Sequence, residues 1–474
     1  MAALPRLADE AHPHAALDHV TPYDRFAALS DDDVERLLAS GEQRQELETF
    51  FGAGEYRDLA ALARTAQRTK RRADACRAII VPGIMGSQLG LPRRAPLPRD
   101  VLWLDPVDIG SGRLRELVLP GLPGTARLEP CGVVLYSYLR LKLHLRAAGH
   151  DAAFHAYDWR LGVDDLGREL ALRLTSEPPG RLALVGHSLG GLVCRAALAL
   201  ASGPVHGAAS THGGGNAASV PTAARVERVV LLGTPNGGTF APVQALRGTY
   251  AVVRKFARLD SLHSASALAA GIFRTFPSLY HMLPKACGGE APDLLDPAAW
   301  PQSGPHPEPH LLESARQIGD RLAPADERFA VVVGVGRATV TAVSRRRDDF
   351  TYTVKRLGDG TVPAERAHLD GARHFYASAS HSDLTRDETV ARAVIDLLNG
   401  GATRRLTSTW RTRSRAVARI SDRELSRLPA GKVDWTRLTP EERRGFLQNL
   451  NEPPRLRLRV PAATRTAAAN RGRR

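Results

Sequence analysis

Leu182-Ala183-Leu184-Val185-Gly186-His187-Ser188-Leu189-Gly190-Gly191-Leu192-Val193-Cys194-Arg195-Ala196 is the stretch whose reading decides the fold. Its first four residues form an apolar run of the kind found in a strand buried on both faces. From Leu189 the pattern continues as a helix to Ala201. Between strand and helix, Gly186 to Gly190 fits G-x-S-x-G, a sharp strand-to-helix turn that exposes a serine. In a chain with 42 glycines that pattern alone is weak. The strand before it and the helix after it give it weight. Flanking glycines let the backbone turn and keep side chains clear of the Ser188 hydroxyl. Ser188 is therefore the expected nucleophile, and His187, inside the turn, is expected to point away from its hydroxyl.

Outward from this turn, strand-length apolar runs alternate with longer helical patterns. Strands are expected at 78–81, 153–157, 182–186, 226–232, 329–335 and 350–355, and helices at 138–148, 189–201 and 385–398. Such alternation predicts an α/β fold with a mostly parallel central sheet and helices on both faces. With a nucleophile elbow at its centre, this is the α/β-hydrolase plan.

A serine hydroxyl needs a base, and the base needs an orienting acid. In this fold they follow in the order serine, acid, histidine. Gly358-Asp359-Gly360-Thr361-Val362-Pro363 comes after the 350–355 strand and puts Asp359 on a glycine-bracketed loop, where the orienting acid belongs. His368, His374 and His381 lie further on. His381 sits between a short strand at 374–377 and the last helical pattern, and is the expected base; His374 is the alternative. An oxyanion needs two N–H donors. The Leu189 amide, next after the nucleophile, is one. The Ile84 amide, in the loop Val81-Pro82-Gly83-Ile84-Met85-Gly86-Ser87, is the other. This chemistry calls for no metal and no cofactor.

The segment from Val81 through Gln88 to Leu89 resembles the oxyanion segment of the lecithin:cholesterol acyltransferase family, which includes phospholipid:diacylglycerol acyltransferases and lysosomal phospholipase A2. Further similar segments follow in order: Tyr157-Asp158-Trp159-Arg160, the Ser188 elbow, Leu232-Gly233-Thr234-Pro235-Asn236-Gly237-Gly238, Phe276-Pro277-Ser278 with Met282-Leu283-Pro284, Val333-Gly334-Val335-Gly336, Gly358 to Pro363, and His381. They span about residues 77–398. The resemblance implies Ser188, Asp359 and His381 as a triad and Ile84 with Leu189 as the oxyanion hole. It implies structural support from Asp158 and Trp159, and a lid or acyl-binding region at 240–310 with Phe276, Tyr280 and Met282. Trp103, in a second insertion at about 90–135, reads either as a further lipid contact or as an ordinary core tryptophan. The implied substrate is a lipid ester, with release of the acyl group to water or to an acceptor alcohol.

Composition sets the frame. With 474 residues, 43% hydrophobic and 24% charged, wholesale disorder is excluded. No run of about 18 apolar residues predicts a spanning helix, and no secretory signal is visible. A cytoplasmic or peripheral membrane protein is the expectation. Cys76, Cys131, Cys194 and Cys287 lie far apart, which argues against metal knuckles and redox pairs. The net charge of +15 is uneven. Residues 1–60 hold 5 basic and 13 acidic residues; residues 401–474 hold 19 basic and 6 acidic. A basic tail predicts peripheral contact with anionic lipid; because the excess lies mainly in a tail and not on one folded face, nucleic acid is not the expected partner, and a GC-rich genome also loads arginine and alanine.

The expected division is an acidic helical extension with a basic linker at 1–75, the catalytic domain at 76–400, and a basic, partly ordered tail at 401–474. Ser30 before Asp31, Asp32 and Asp33 reads as an N-cap. Thr439-Pro440-Glu441-Glu442 reads as a capping box. Leu456, Leu458 and Val460 alternate with arginine. Residues 203–224 read as a flexible insertion, and 284–310 as irregular surface. The triad residues predict an acyl-serine mechanism, and the resemblance implies a lipid ester hydrolase or O-acyltransferase. The alternative is a carboxylesterase on smaller or polymeric esters. The least favoured reading is an inert lipid- or nucleic-acid-binding protein.

Overall fold

The structure, a computed structural model, describes residues 22–72, 75–94, 97–201, 222–285, 291–411, 417–428 and 431–448. Six strands pair in parallel. In chain order they are β1 (Arg77–Val81), β2 (Asp151–Phe154), β3 (Leu182–His187), β4 (Val226–Leu232), β5 (Phe329–Gly334) and β6 (Arg373–Ala377). Across the sheet they run 2-1-3-4-5-6. Winding reverses between β1 and β3, and the crevice beyond the carboxyl ends of such strands is where ligands of open parallel sheets bind.

Side chains alternate between two cores. Ile79, Leu184, Leu231 and Val331 pack to one side with the helices Val163–Ser176 and Leu189–Ala201. Ile80, Val185, Val230 and Val332 pack to the other with Leu135–Ala147 and Glu388–Gly400. A period of two with both faces covered explains why these strands read as unbroken apolar runs. This is the α/β-hydrolase fold. Among the described residues no helix is long and apolar enough to cross a membrane.

From Pro22 the described part of the acidic N-terminal segment is helical. Ser30 caps Asp31–Ser40, its hydroxyl and the Asp33 carboxylate satisfying each other's backbone N–H groups. Val34, Leu38, Leu47, Phe51 and Leu59 pack on Leu139 and Leu143. Those two leucines lie on the helix whose Tyr138, Leu141 and Leu145 face the sheet. A helix with leucines on two faces needs cover on both sides, and the N-terminal helices supply the outer one. Lys142, on the same helix and only 1% exposed, is held by Asp31, by Asp32 at 3.1 Å and by Glu35 at 2.7 Å.

Three expectations change. Residues 350–355 are not in the central sheet. They belong to Asp349–Gly358, which pairs antiparallel with Arg337–Arg346 and with Val417–Ser421. Phe350, Tyr352 and Val354 are buried while their neighbours are half-exposed, the mark of a sheet covered on one face.

Second, the residues after 400 are not merely appended. Val417–Ser421 completes that small sheet, and Asp422 is buried. Asp422 accepts hydrogen bonds from Arg247 Nε (2.9 Å), Thr249 Oγ1 (3.0 Å) and Tyr352 OH (2.6 Å). Thr439 and Glu442 form the capping box of Pro440–Gln448. Leu456, Leu458 and Val460 lie outside the described residues.

Third, 284–310 is not all surface. Trp300 is buried against Phe350, with ring centroids 5.5 Å apart, and its Nε1 donates to Leu294 O. The 203–224 insertion lies, up to residue 221, outside the described residues.

Candidate active site

Ser188 follows β3 with φ = +53°, a left-handed conformation that costs a non-glycine residue energy and aims its side chain out of the turn. Its N–H donates to Leu232 O at 2.9 Å, which ties the turn to β4. Gly190 has no room for a side chain. A Cβ there would stand 2.2 Å from the Val81 carbonyl oxygen, so the start of the Leu189–Ala201 helix lies directly against the end of β1.

The loop after β1 is braced from behind. Tyr157 OH donates to Pro82 O, and Trp159 Nε1 donates to Ser87 O at 3.0 Å. Asp158 pairs with Arg160 at 2.7 Å, and Arg160 Nη1 donates to Leu117 O. Ile84 in this loop lines the cavity over Ser188. Leu189 opens the following helix, where the first-turn N–H groups have no intrahelical acceptor.

His381 lies beyond β6. Its backbone N–H donates to Asp359 O at 2.9 Å, and its Nδ1 stands 2.7 Å from Asp359 Oδ2. Asp359 Oδ1 accepts from Thr361 N (2.8 Å) and Val362 N (2.7 Å). All three side chains are largely buried: Ser188 5%, His381 5% and Asp359 2% exposed. The acid reaches this place from the antiparallel strand Asp349–Gly358, not from a central strand. His374 is engaged elsewhere. Its Nε2 accepts from Leu369 N, and its ring packs on His368 at 4.7 Å.

A cavity of about 100 Å³ reaches both Ser188 and His381. Its apolar wall includes Ile84, Trp103, Val252, Phe256, Leu279 and Met282. Trp103 and Met282 thus share a cavity wall with Ser188 and His381. Phe276 and Tyr280 do not line it, contrary to expectation. Phe276 is wedged against Trp159 and Phe273, with centroids at 5.7 and 5.5 Å. Tyr280 OH donates to Arg274 O and accepts from Glu308 N. Both are packing residues of the 240–310 stretch. Leu104, Leu279 and Tyr250, which do line the cavity, carry no sequence signal that separates them from ordinary core residues. Burial pushes the Tyr250 phenol up to about 12.

His187 has both ring nitrogens engaged, Nδ1 with Tyr138 OH at 2.9 Å and Nε2 with His381 O at 3.0 Å. Burial pushes it down to about 3, so it stays neutral. Among the described residues one group of carboxylates is close enough to share an ion: Asp31, Asp32 and Glu35. Lys142 and Arg146 already neutralise it. Cys76, Cys131 and Cys194 are free thiols.

No family model and no curated protein matches the chain. Several solved structures resemble it. The lipase BlEst2 of Bacillus licheniformis in mature form is similar over 69% of this chain and 94% of its own, at 14% identity and a TM-score of 0.36. A chain of the Tle4–Tli4 complex is similar over 70% of this chain and all of its own (100%), at 14% identity and a TM-score of 0.37. The metagenomic carboxyl esterase MGS0156 is similar over 66% of each chain, at 14% identity and a TM-score of 0.30.

Proposed function

We propose that this protein is a serine-dependent acyl ester hydrolase or O-acyltransferase acting on lipid esters, of the lecithin:cholesterol acyltransferase type. One observation carries the reading: the His381–Asp359 contact of 2.7 Å stands over the same apolar-walled cavity as Ser188 on its strained turn. Asp359 engages Nδ1 of His381, which leaves Nε2 to take the Ser188 proton. The freed oxygen attacks the ester carbonyl. The Ile84 and Leu189 amides hold the oxyanion, each donor being worth about 2.7–4 kcal/mol in such sites. His381 returns the proton to the departing alcohol, and an acyl-serine remains. Water or an acceptor alcohol, deprotonated by His381, then releases the acyl group.

The test is labelling by a fluorophosphonate probe, followed by incubation with mixed phospholipids and candidate alcohols and lipid mass spectrometry. Labelling and acyl release should both vanish in Ser188→Ala. Full ester hydrolysis by that variant would refute the reading.

A second reading, a carboxylesterase on smaller esters, is favoured by the cavity's size. About 100 Å³ is below the roughly 300–1,000 Å³ of drug-sized ligand sites. A long acyl chain would need the wall of Trp103, Phe256 and Met282 to move. A chain-length series separates the two: preference for short soluble esters without activation by vesicles selects the esterase.

The basic segment 401–474 suits peripheral attachment to anionic lipid, at about 1 kcal/mol per arginine near such a surface. Deleting it whole would also remove Val417–Ser421 and Asp422 from the fold. Neutralising Arg455, Arg457 and Arg459 is the cleaner test, and vesicle binding unchanged at low salt would refute the attachment.

A further inference from the structure

We infer that Tyr138 and His187 form a positioning relay that locks the oxyanion loop and the base loop in one register, with the proton of His187 on Nε2. Three hydrogen bonds run in series. The Gly83 N–H donates to Tyr138 OH at 2.8 Å. Tyr138 OH lies 2.9 Å from His187 Nδ1. His187 Nε2 lies 3.0 Å from the His381 carbonyl oxygen. One end is a single residue from the Ile84 amide, and the other is on His381 itself.

The ends of the chain fix every proton in it. A backbone N–H can only donate, so the Tyr138 oxygen accepts from Gly83. A backbone carbonyl can only accept, so His187 Nε2 carries a hydrogen. The single phenol hydrogen then goes to His187 Nδ1, which must be bare. A second proton on the ring would set two hydrogens against each other between Tyr138 and His187. The surroundings keep that proton away. Tyr138 is 3% and His187 6% exposed, and the His187 ring lies 4.8 Å from the ring of His381. Burial pushes His187 down to about 3. The fit under the loop is tight as well: a Cβ on Gly86 would stand 2.8 Å from the Tyr138 hydroxyl oxygen.

The kinetic part of this inference rests on the reading of Ser188 and His381 given above; the proton placement does not. The experiment therefore has two readouts on the full chain. In protein labelled with ¹⁵N-histidine, with the His187 signals assigned from the spectrum of His187→Gln, the ring should show one protonated and one bare nitrogen, the proton on Nε2, unchanged from pH 7.5 to pH 5. A proton on Nδ1, or a ring that titrates in this range, overturns the relay whether or not the protein hydrolyses esters.

On a soluble chromogenic ester, Tyr138→Phe should lower kcat about 10- to 100-fold with KM within about twofold, since misplacement by an ångström costs about that much. His187→Phe should match it. His187→Gln, whose amide offers one acceptor and one donor, should recover most of the loss. A kcat within twofold of the parent in Tyr138→Phe, or a change confined to KM, overturns the positioning role. If the parent protein neither labels with fluorophosphonate nor hydrolyses any ester, the proposed function fails, and the nitrogen spectrum alone decides the relay.

Discussion

Replacing Asp359 by asparagine exchanges one oxygen for an NH₂ group, and the structure dictates which. Asp359 Oδ1 accepts two backbone N–H groups, from Thr361 at 2.8 Å and Val362 at 2.7 Å. An NH₂ there would face two donors. The asparagine oxygen therefore keeps that position, and the NH₂ takes the place of Oδ2, 2.7 Å from His381 Nδ1. It can only donate, so Nδ1 must be bare and the proton moves to Nε2. A histidine protonated at Nε2 cannot accept the Ser188 proton. Losing the right tautomer in a serine triad costs about 10⁴-fold in kcat, or about 5 kcal/mol of transition-state stabilisation. The fold should survive, because the two loop bonds to Oδ1 persist. The assay is initial rates on a soluble chromogenic butyrate ester, with thermal unfolding run alongside. An Asp359→Asn protein that unfolds like the parent and keeps more than a tenth of its kcat/KM would refute the role given to Asp359.

Other outcomes follow from the same contacts. Gly190→Ala puts a Cβ 2.2 Å from a backbone oxygen that cannot give way, and should cost about 3 kcal/mol in chemical denaturation; unchanged stability and activity would contradict the close approach of β1 to the elbow. Lys142→Met strands Asp31, Asp32 and Glu35 with Arg146 as their remaining cation, and should cost about 3 kcal/mol. Limited proteolysis should then cut first within residues 31–68, and a protected N-terminal segment would speak against that anchoring. Stability should also fall on acidification. Burial pushes His155 and His187 down to about 3 and His281 to about 4, against an ordinary value of 6.5. Above pH 6.5 each is neutral folded or unfolded and contributes nothing; below it the unfolded chain binds protons that the folded chain refuses. Each should cost about 2 kcal/mol by pH 5, and denaturant midpoints that do not fall between pH 7.5 and pH 5 would count against their burial as neutral rings.

Much of the fold was legible because strands buried on both faces write themselves as apolar runs, as residues 182–185 and 229–232 do. The candidate site was legible because its groups sit on loops with few other reasons to combine glycine, serine, aspartate and histidine. What stayed hidden depends on direction and partners. Residues 350–355 read as a strand of the central sheet because a short window shows β-propensity, not which sheet the strand joins; they belong to Asp349–Gly358 of the small sheet. Phe276 and Tyr280 were read as substrate contacts, yet they bury themselves while Leu104 and Val252 reach the cavity; the sequence names an aromatic residue but not the way it faces. Tyr138 was invisible because a tyrosine among the leucines of a buried helix looks like core until its hydroxyl is found under the oxyanion loop.

The strand that leads into Asp359 has its outer neighbour in residues synthesised some sixty positions later. Thr351 to Lys355 pair with Ser421 back to Val417, register by register. A nascent chain stopped short of Val417 already contains Ser188, Asp359 and His381, but it presents the outer edge of that strand as unpaired N–H and C=O groups, a template for association with other chains. Premature products should accordingly partition into aggregates, which ties the setting of the Asp359 loop to completion of synthesis well past His381.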